Sequence, residues 1–214
     1  MRRSGRWVLA VVLGSLTPAA GGELVVEVHD AKGRPLPDAI VTATGPAPIA
    51  GGERPAATID QIDQEFVPQV SAVRVGTAVR FPNQDNIRHH VYSFSPAKQF
   101  ELPLYKGTQA APVVFDRPGL VVLGCNIHDW MLGYLYVVET PWFARTGADG
   151  RARLTGLPDA PLEIAALHPR ARTPDAPPRA RWSPGDATTL TLEVPVRAEV
   201  PRARAGRSAE RDYR

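Results

Sequence analysis

From Glu23 onward no stretch keeps the apolar spacing of an amphipathic helix. Short runs of β-forming residues recur instead, each stopped by glycine, proline or a polar turn. Glu23 to Asp30 alternates toward a turn at Ala31 to Arg34, and Leu36 to Thr44 follows as a second strand. Gly45 to Pro55 is rich in Gly, Pro and Ala and reads as a linker or long loop. Phe66 to Val70, Ala72 to Val75, Thr77 to Phe81 and His90 to Ser95 come next, with a turn cluster at Pro82 to Asn86. Many short strands between such turns predict an all-β chain, a sandwich or a barrel.

The ends set the compartment. Arg2, Arg3 and Arg6 precede the apolar run Trp7 to Leu16, and small residues follow at Ala19 to Gly22. That order is a secretory signal, with cleavage expected between residues 19 and 22. The apolar run is too short to span a bilayer, and no later segment is long and apolar enough, so the mature protein is expected to be exported and soluble, with no membrane span. The formal net charge is only +3, and no basic stripe interleaved with aromatic residues argues for nucleic acid.

Export makes the cysteine count informative. The chain has one cysteine, so no disulfide can form within it. That cysteine stands in Gly124-Cys125-Asn126-Ile127-His128-Asp129-Trp130-Met131, which also holds the one methionine besides the initiator. A lone cysteine is usually a small buried hydrophobe. Here it shares a short loop with an imidazole and a thioether, and the apolar runs Leu120 to Leu123 and Leu132 to Val138 flank the loop as strands. Thiolate, imidazole and thioether are donors that copper prefers, and two histidines, a cysteine and a weak axial methionine make a blue-copper set. The second histidine is expected from His89-His90 upstream.

Two stretches carry a family resemblance. Asn83-x-Asp85-x-x-x-His89-x-Val91-x-Ser93 resembles the segment around the first histidine ligand of cupredoxins of the plastocyanin and amicyanin type. Cys125-x-x-His128-x-x-Met131, followed by Gly133, resembles their ligand loop, with spacing closest to amicyanin. The resemblance covers about Ile59 to Val138. It implies a cupredoxin-like Greek-key β-sandwich, one mononuclear type 1 copper site held by His89, Cys125, His128 and Met131, and outer-sphere electron transfer with a periplasmic cytochrome c or dehydrogenase. His128 would be the electron exit. The chain departs from the family at Arg88, where proline is usual, and at His90, where asparagine is usual. Neighbours on a strand face opposite ways, so only one histidine of the pair can reach the metal. Tyr92 and Phe94 share the parity of His90 and make that face look like core, whereas the family register selects His89.

A second resemblance frames the first. Leu24 to Thr44 and Thr146 to Pro158 look like elements of a carboxypeptidase-regulatory or transthyretin-like sandwich, with Leu162 to Pro169 and Thr188 to Val194 as its last strands. The expected organisation is a signal peptide over 1–22, the first part of this smaller sandwich over 23–50, a cupredoxin-like domain over 51–140, its second part over 141–196, and a disordered tail over 197–214. His29 and His168 are expected at a surface or a strand end, and Trp130 as a shield, a contact surface or simple packing. No Ser/His/Asp set, carboxylate pair or phosphate loop is present, and four ligands leave no open position for substrate, so an enzyme is not expected. A copper carrier or storage protein without a redox role would use the same ligands.

Overall fold

Alternation along one strand sets the first half of the molecule. In Gly22–His29 the side chains of Leu24, Val26 and Val28 are fully buried and their neighbours face outward. This strand pairs antiparallel with Arg151–Leu157 and parallel with Thr189–Glu193, so residues far apart in the chain share one sheet. Facing it is a four-stranded sheet in the order Trp142–Arg145, Ile40–Thr44, Leu162–Leu167, Arg179–Trp182. Leu24, Val26, Val41, Leu154, Ile164 and Trp182 fill the space between the two sheets. This computed structural model describes residues 22–45, 55–108 and 111–199. The expected signal peptide except Gly22, most of the expected linker, and the tail from residue 200 lie outside the described residues.

The intervening residues form a second sandwich. One layer is a five-stranded sheet in the order Val70–Arg74, Leu132–Val138, Gly119–Gly124, His89–Ser95, Lys98–Tyr105. The other has Val113–Phe115, Thr77–Arg80 and Ala57–Thr58, beside the short hairpin Asp60–Ile62 and Glu65–Val67. Its core gathers Phe66, Val79, Phe81, Val91, Phe115, Leu123 and Leu135 around Cys125 and Met131. Phe81, Phe100 and Phe115 meet with ring centroids 5.7–6.4 Å apart, within the range of favourable aromatic contacts. A smaller cluster of Ile40, Val70, Tyr136 and Val138, with Phe143 and Leu167 against it, joins the outer face of the five-stranded sheet to the four-stranded sheet. The all-β class is what the described residues have, and none of them is helical. No helix long and apolar enough to cross a membrane occurs among the described residues.

Three readings are corrected: Phe66 to Val70 is not one strand, since Glu65–Val67 ends before Pro68 and Val70–Arg74 begins another. The parity that made the face of His90 look like core is reversed. Val91 and Ser93, which share a face with His89, are buried, whereas Phe94 is 78 % exposed. The outer face can hold Tyr92 because residue 124 has no side chain. A Cβ there would come within 2.7 Å of the Tyr92 ring, which lies over the backbone of Gly124 instead. The second strand also starts later than Leu36. Pro37 and Asp38 form a turn, with Asp38 at φ 61°, and the strand runs Ile40–Thr44.

Candidate metal centre

The ligand loop bridges two adjacent strands. Gly119–Gly124 ends where Cys125 begins, and Leu132–Val138 starts directly after Met131. Gly124 pairs with Leu132 across the ladder, which brings the two ends of the loop together. The Met131 amide donates to the His128 carbonyl at 2.9 Å and tightens the loop further. His89 opens the next strand of the same sheet, His89–Ser95.

Three donor atoms converge at that sheet end. Cys125 Sγ lies 3.6 Å from His128 Nδ1 and 3.9 Å from His89 Nδ1. The donor atoms of the three residues all lie within 4.8 Å of one another. Among the described residues this is the one cluster of three histidine, cysteine or acidic groups placed to hold a metal ion. His89, Cys125 and Met131 are buried, and His128 is half-buried. The His128 ring sits 4.9 Å from that of His89 and 5.1 Å from that of Trp130, centroid to centroid, so His128 packs between the two rings. Met131 belongs to the same apolar core as Cys125.

The two adjacent histidines diverge. His90 turns to the outer face, where its Nε2 pairs with Glu101 Oε1 at 2.9 Å and its ring rests against Tyr92. It does not join the cluster. The other nitrogen of the His89 ring, Nε2, meets Asp85 Oδ2 at 2.7 Å. Asp85 also accepts the amides of Asp63 and Gln64. Burial works against its charge, but the hydrogen bonds from Gln64, His89 and Asp63 outweigh it and hold the carboxyl below its usual range. Asn83 supports this turn, with its Oδ1 accepting the Asp85 amide and its Nδ2 donating to the carbonyls of Ile87 and Tyr105.

Tyr105 lies opposite His89 in the strand register. Its hydroxyl donates to the Phe81 carbonyl and accepts from the Gln61 amide. Burial, opposed by the Gln61 hydrogen bond and aided by nearby Cys125, pushes its pKa up to about 12, so it stays a neutral donor. In the sequence Asp85 enters only as part of the Asn83-x-Asp85-x-x-x-His89 pattern, with no role of its own, and Gln61 and Tyr105 do not enter at all. The signal for Asp85 was its place four residues before His89. Gln61 and Tyr105 come together only through the fold.

No protein-family model and no curated protein matches this chain. Among solved structures, it is similar to a copper-containing nitrite reductase from Thermus scotoductus SA-01, with 26% identity over 44% of this chain and 25% of that one, at a TM-score of 0.38. The match thus spans about a quarter of the reductase. It is also similar to a purple cupredoxin from Nitrosopumilus maritimus, with 23% identity over 38% of this chain and 99% of that one, TM-score 0.35. An oxidised methionine-to-leucine variant of amicyanin gives 22% identity over 45% of this chain and 99% of that one, TM-score 0.35.

Proposed function

We propose that this chain is an exported type 1 copper protein that exchanges single electrons with a periplasmic protein partner of the cytochrome c or dehydrogenase type. One observation carries the reading: Cys125 Sγ and the Nδ1 atoms of His89 and His128 face one another at a buried sheet end. The donor chemistry fits copper. A thiolate and two imidazoles are soft and borderline ligands, and a buried thioether stands ready in Met131 as a weak fourth. His89, Cys125, His128 and Met131 would hold the metal. When bound, copper supplies a one-electron couple.

The chain's own residues do the rest. Cys125 would supply the thiolate, the most covalent donor to a bound copper. His89 is fixed from behind by Asp85. The apolar core around Cys125 and Met131 excludes water, and strands on both sides of the loop resist rearrangement. His128, half-buried beside Trp130, is the ligand nearest solvent and the natural exit for an electron. A cluster whose His89, Cys125 and Met131 are buried suits electron passage better than release of copper to an acceptor, and four ligands would leave no open position for a substrate. We therefore read the chain as a carrier of electrons and not an enzyme. In this reading residues 51–140 are the copper domain, and 23–50 with 141–196 form a second sandwich around it.

The test is a titration of the purified protein with Cu(II). An intense visible band from the thiolate–copper bond is expected, and Cys125→Ser should abolish it because a hydroxyl cannot replace the thiolate. A wild-type protein without the band, or a Cys125→Ser variant that keeps it in full, would sink the assignment.

A further inference from the structure

Asp85 is held from three directions. Its Oδ1 accepts the Asp63 amide at 2.7 Å, and its Oδ2 accepts both the Gln64 amide at 2.9 Å and the His89 ring at 2.7 Å. The two amides come from the tip of the hairpin Asp60–Ile62 and Glu65–Val67. Asp63 and Gln64 have φ of 52° and 62°, the left-handed pair that a two-residue turn between antiparallel strands requires. That turn points two successive N–H groups at one carboxylate. On the other side, the Asp85 amide donates to Asn83 Oδ1, and Asn83 is itself tied to Ile87 and Tyr105. Asp85 therefore has little room to swing.

A carboxylate only accepts hydrogen bonds, so the nitrogen of His89 that meets it must carry a proton. In a neutral imidazole the other nitrogen then keeps its lone pair. That other nitrogen is Nδ1, the one that faces Cys125. We propose that Asp85 is the positioning residue of this centre: gripped by the hairpin tip at Asp63 and Gln64, it sets the tautomer and ring plane of His89 before any metal arrives. The proposal rests on reading the cluster as a metal site. It adds to that reading a hairpin tip that presets one of the ligands through Asp85.

The experiment has a metal-free arm and a copper arm. In metal-free protein at mildly alkaline pH, nitrogen NMR of the His89 ring should show the proton on Nε2, with a slowly exchanging N–H resonance. Asp85→Ala should lose that slow exchange and weaken Cu(II) binding by about 10–100-fold. Asp85→Asn guards against a misfolded alanine variant, since it keeps the size and one acceptor oxygen. Asparagine removes the negative charge behind the imidazole, so the reduction potential should rise while the visible band persists. A packing role alone would not move the potential. The proposal is overturned if wild-type His89 carries its proton on Nδ1 or exchanges freely. It is equally overturned if both variants bind Cu(II) with wild-type affinity at the wild-type potential. The nitrogen spectrum is read without metal, so a missing copper band beside the expected tautomer would sink the copper reading and leave the Asp85–His89 link standing.

Discussion

The two sandwiches both bury polar side chains, but they answer them differently. In the sandwich built on Gly22–His29, Thr146, Asp30 and His168 are answered by backbone or side chains at turns and junctions. Thr146 Oγ1 donates to the Leu36 carbonyl and accepts the Ala39 amide. Asp30 takes the amides of Lys32 and Arg34 and the Arg34 guanidinium. His168 Nδ1 accepts the Arg170 amide at 3.0 Å. In the other sandwich, His89 is satisfied on one side by Asp85, while its second nitrogen faces Cys125 and His128. A buried polar group costs stability unless it is partnered. Groups answered locally hold turns in place. A set whose outer atoms are partnered and whose inner atoms face each other is arranged for something that enters.

The adjacent histidines break that comparison down to a single pair. They differ in what they face, not in type or in place along the chain. His89→Ala should abolish tight Cu(II) binding and the visible band. The His90–Glu101 pair is exposed on the Glu101 side and is expected to contribute about 0–1 kcal/mol. His90→Ala should therefore change copper affinity by less than about tenfold. Copper titrations of the two variants, followed optically, decide between them. If His90→Ala is the damaging change, the inward face of His89–Ser95 has been assigned to the wrong residues.

Much of this arrangement was legible in the sequence. The all-β class followed from short alternating runs, and the spacing from Cys125 to His128 marked one loop that brings a sulfur and an imidazole to the cluster with His89. The choice between His89 and His90 was not open to parity alone. Aromatic residues usually signal a core, yet Phe94 is exposed and Tyr92 lies over Gly124, where a side chain would collide with its ring. Lys98–Tyr105 does alternate, with Phe100 and Leu102 less exposed than Gln99 and Glu101. Its pairing beside His89–Ser95, which puts Glu101 within reach of His90, depends on a ladder whose register shifts between His89 and Val91. The grip on Asp85 was hidden for a related reason. It comes from backbone amides of Asp63 and Gln64, and amides leave no mark in composition or spacing.

A second, smaller effect should separate the sandwiches by pH. His168 follows the strand Leu162–Leu167 and is 5% exposed, so it is a strand-end residue but not a surface one. Burial and the nearby Arg170 lower its pKa from 6.5 to about 4. The unfolded chain then takes up a proton at this residue before the folded one does. The contribution is fully present above pH 6.5 and is lost as pH falls from 6.5 toward about 4. Unfolding midpoints of metal-free protein across that window should show the loss, and His168→Gln should flatten it. Copper-loaded His168→Gln at neutral pH should keep the wild-type visible band. An unchanged slope in the variant would assign the acid sensitivity to other groups, and a changed band would mean that the two sandwiches are coupled at the metal.

The smallest expected effect concerns Met131, where the two kinds of buried residue meet. Its side chain is 1% exposed and packs in the apolar core with Cys125, so it could be core alone. It also ends the loop that carries Cys125 and His128, with its amide bonded to the His128 carbonyl and its side chain in the same core as Cys125. Met131→Leu removes the sulfur and keeps an apolar side chain of similar volume, so the stability cost should stay below about 1.5 kcal/mol. A thioether acts as a weak axial donor, and axial identity tunes the potential without anchoring the metal. The variant should therefore still bind copper and keep its band, with a raised reduction potential, because losing an axial donor disfavours the oxidised ion. Voltammetry on wild type and variant reads the difference directly. A potential that stays put or falls would make Met131 a packing residue like Leu123 or Leu135, and the donor set would then end at His89, Cys125 and His128.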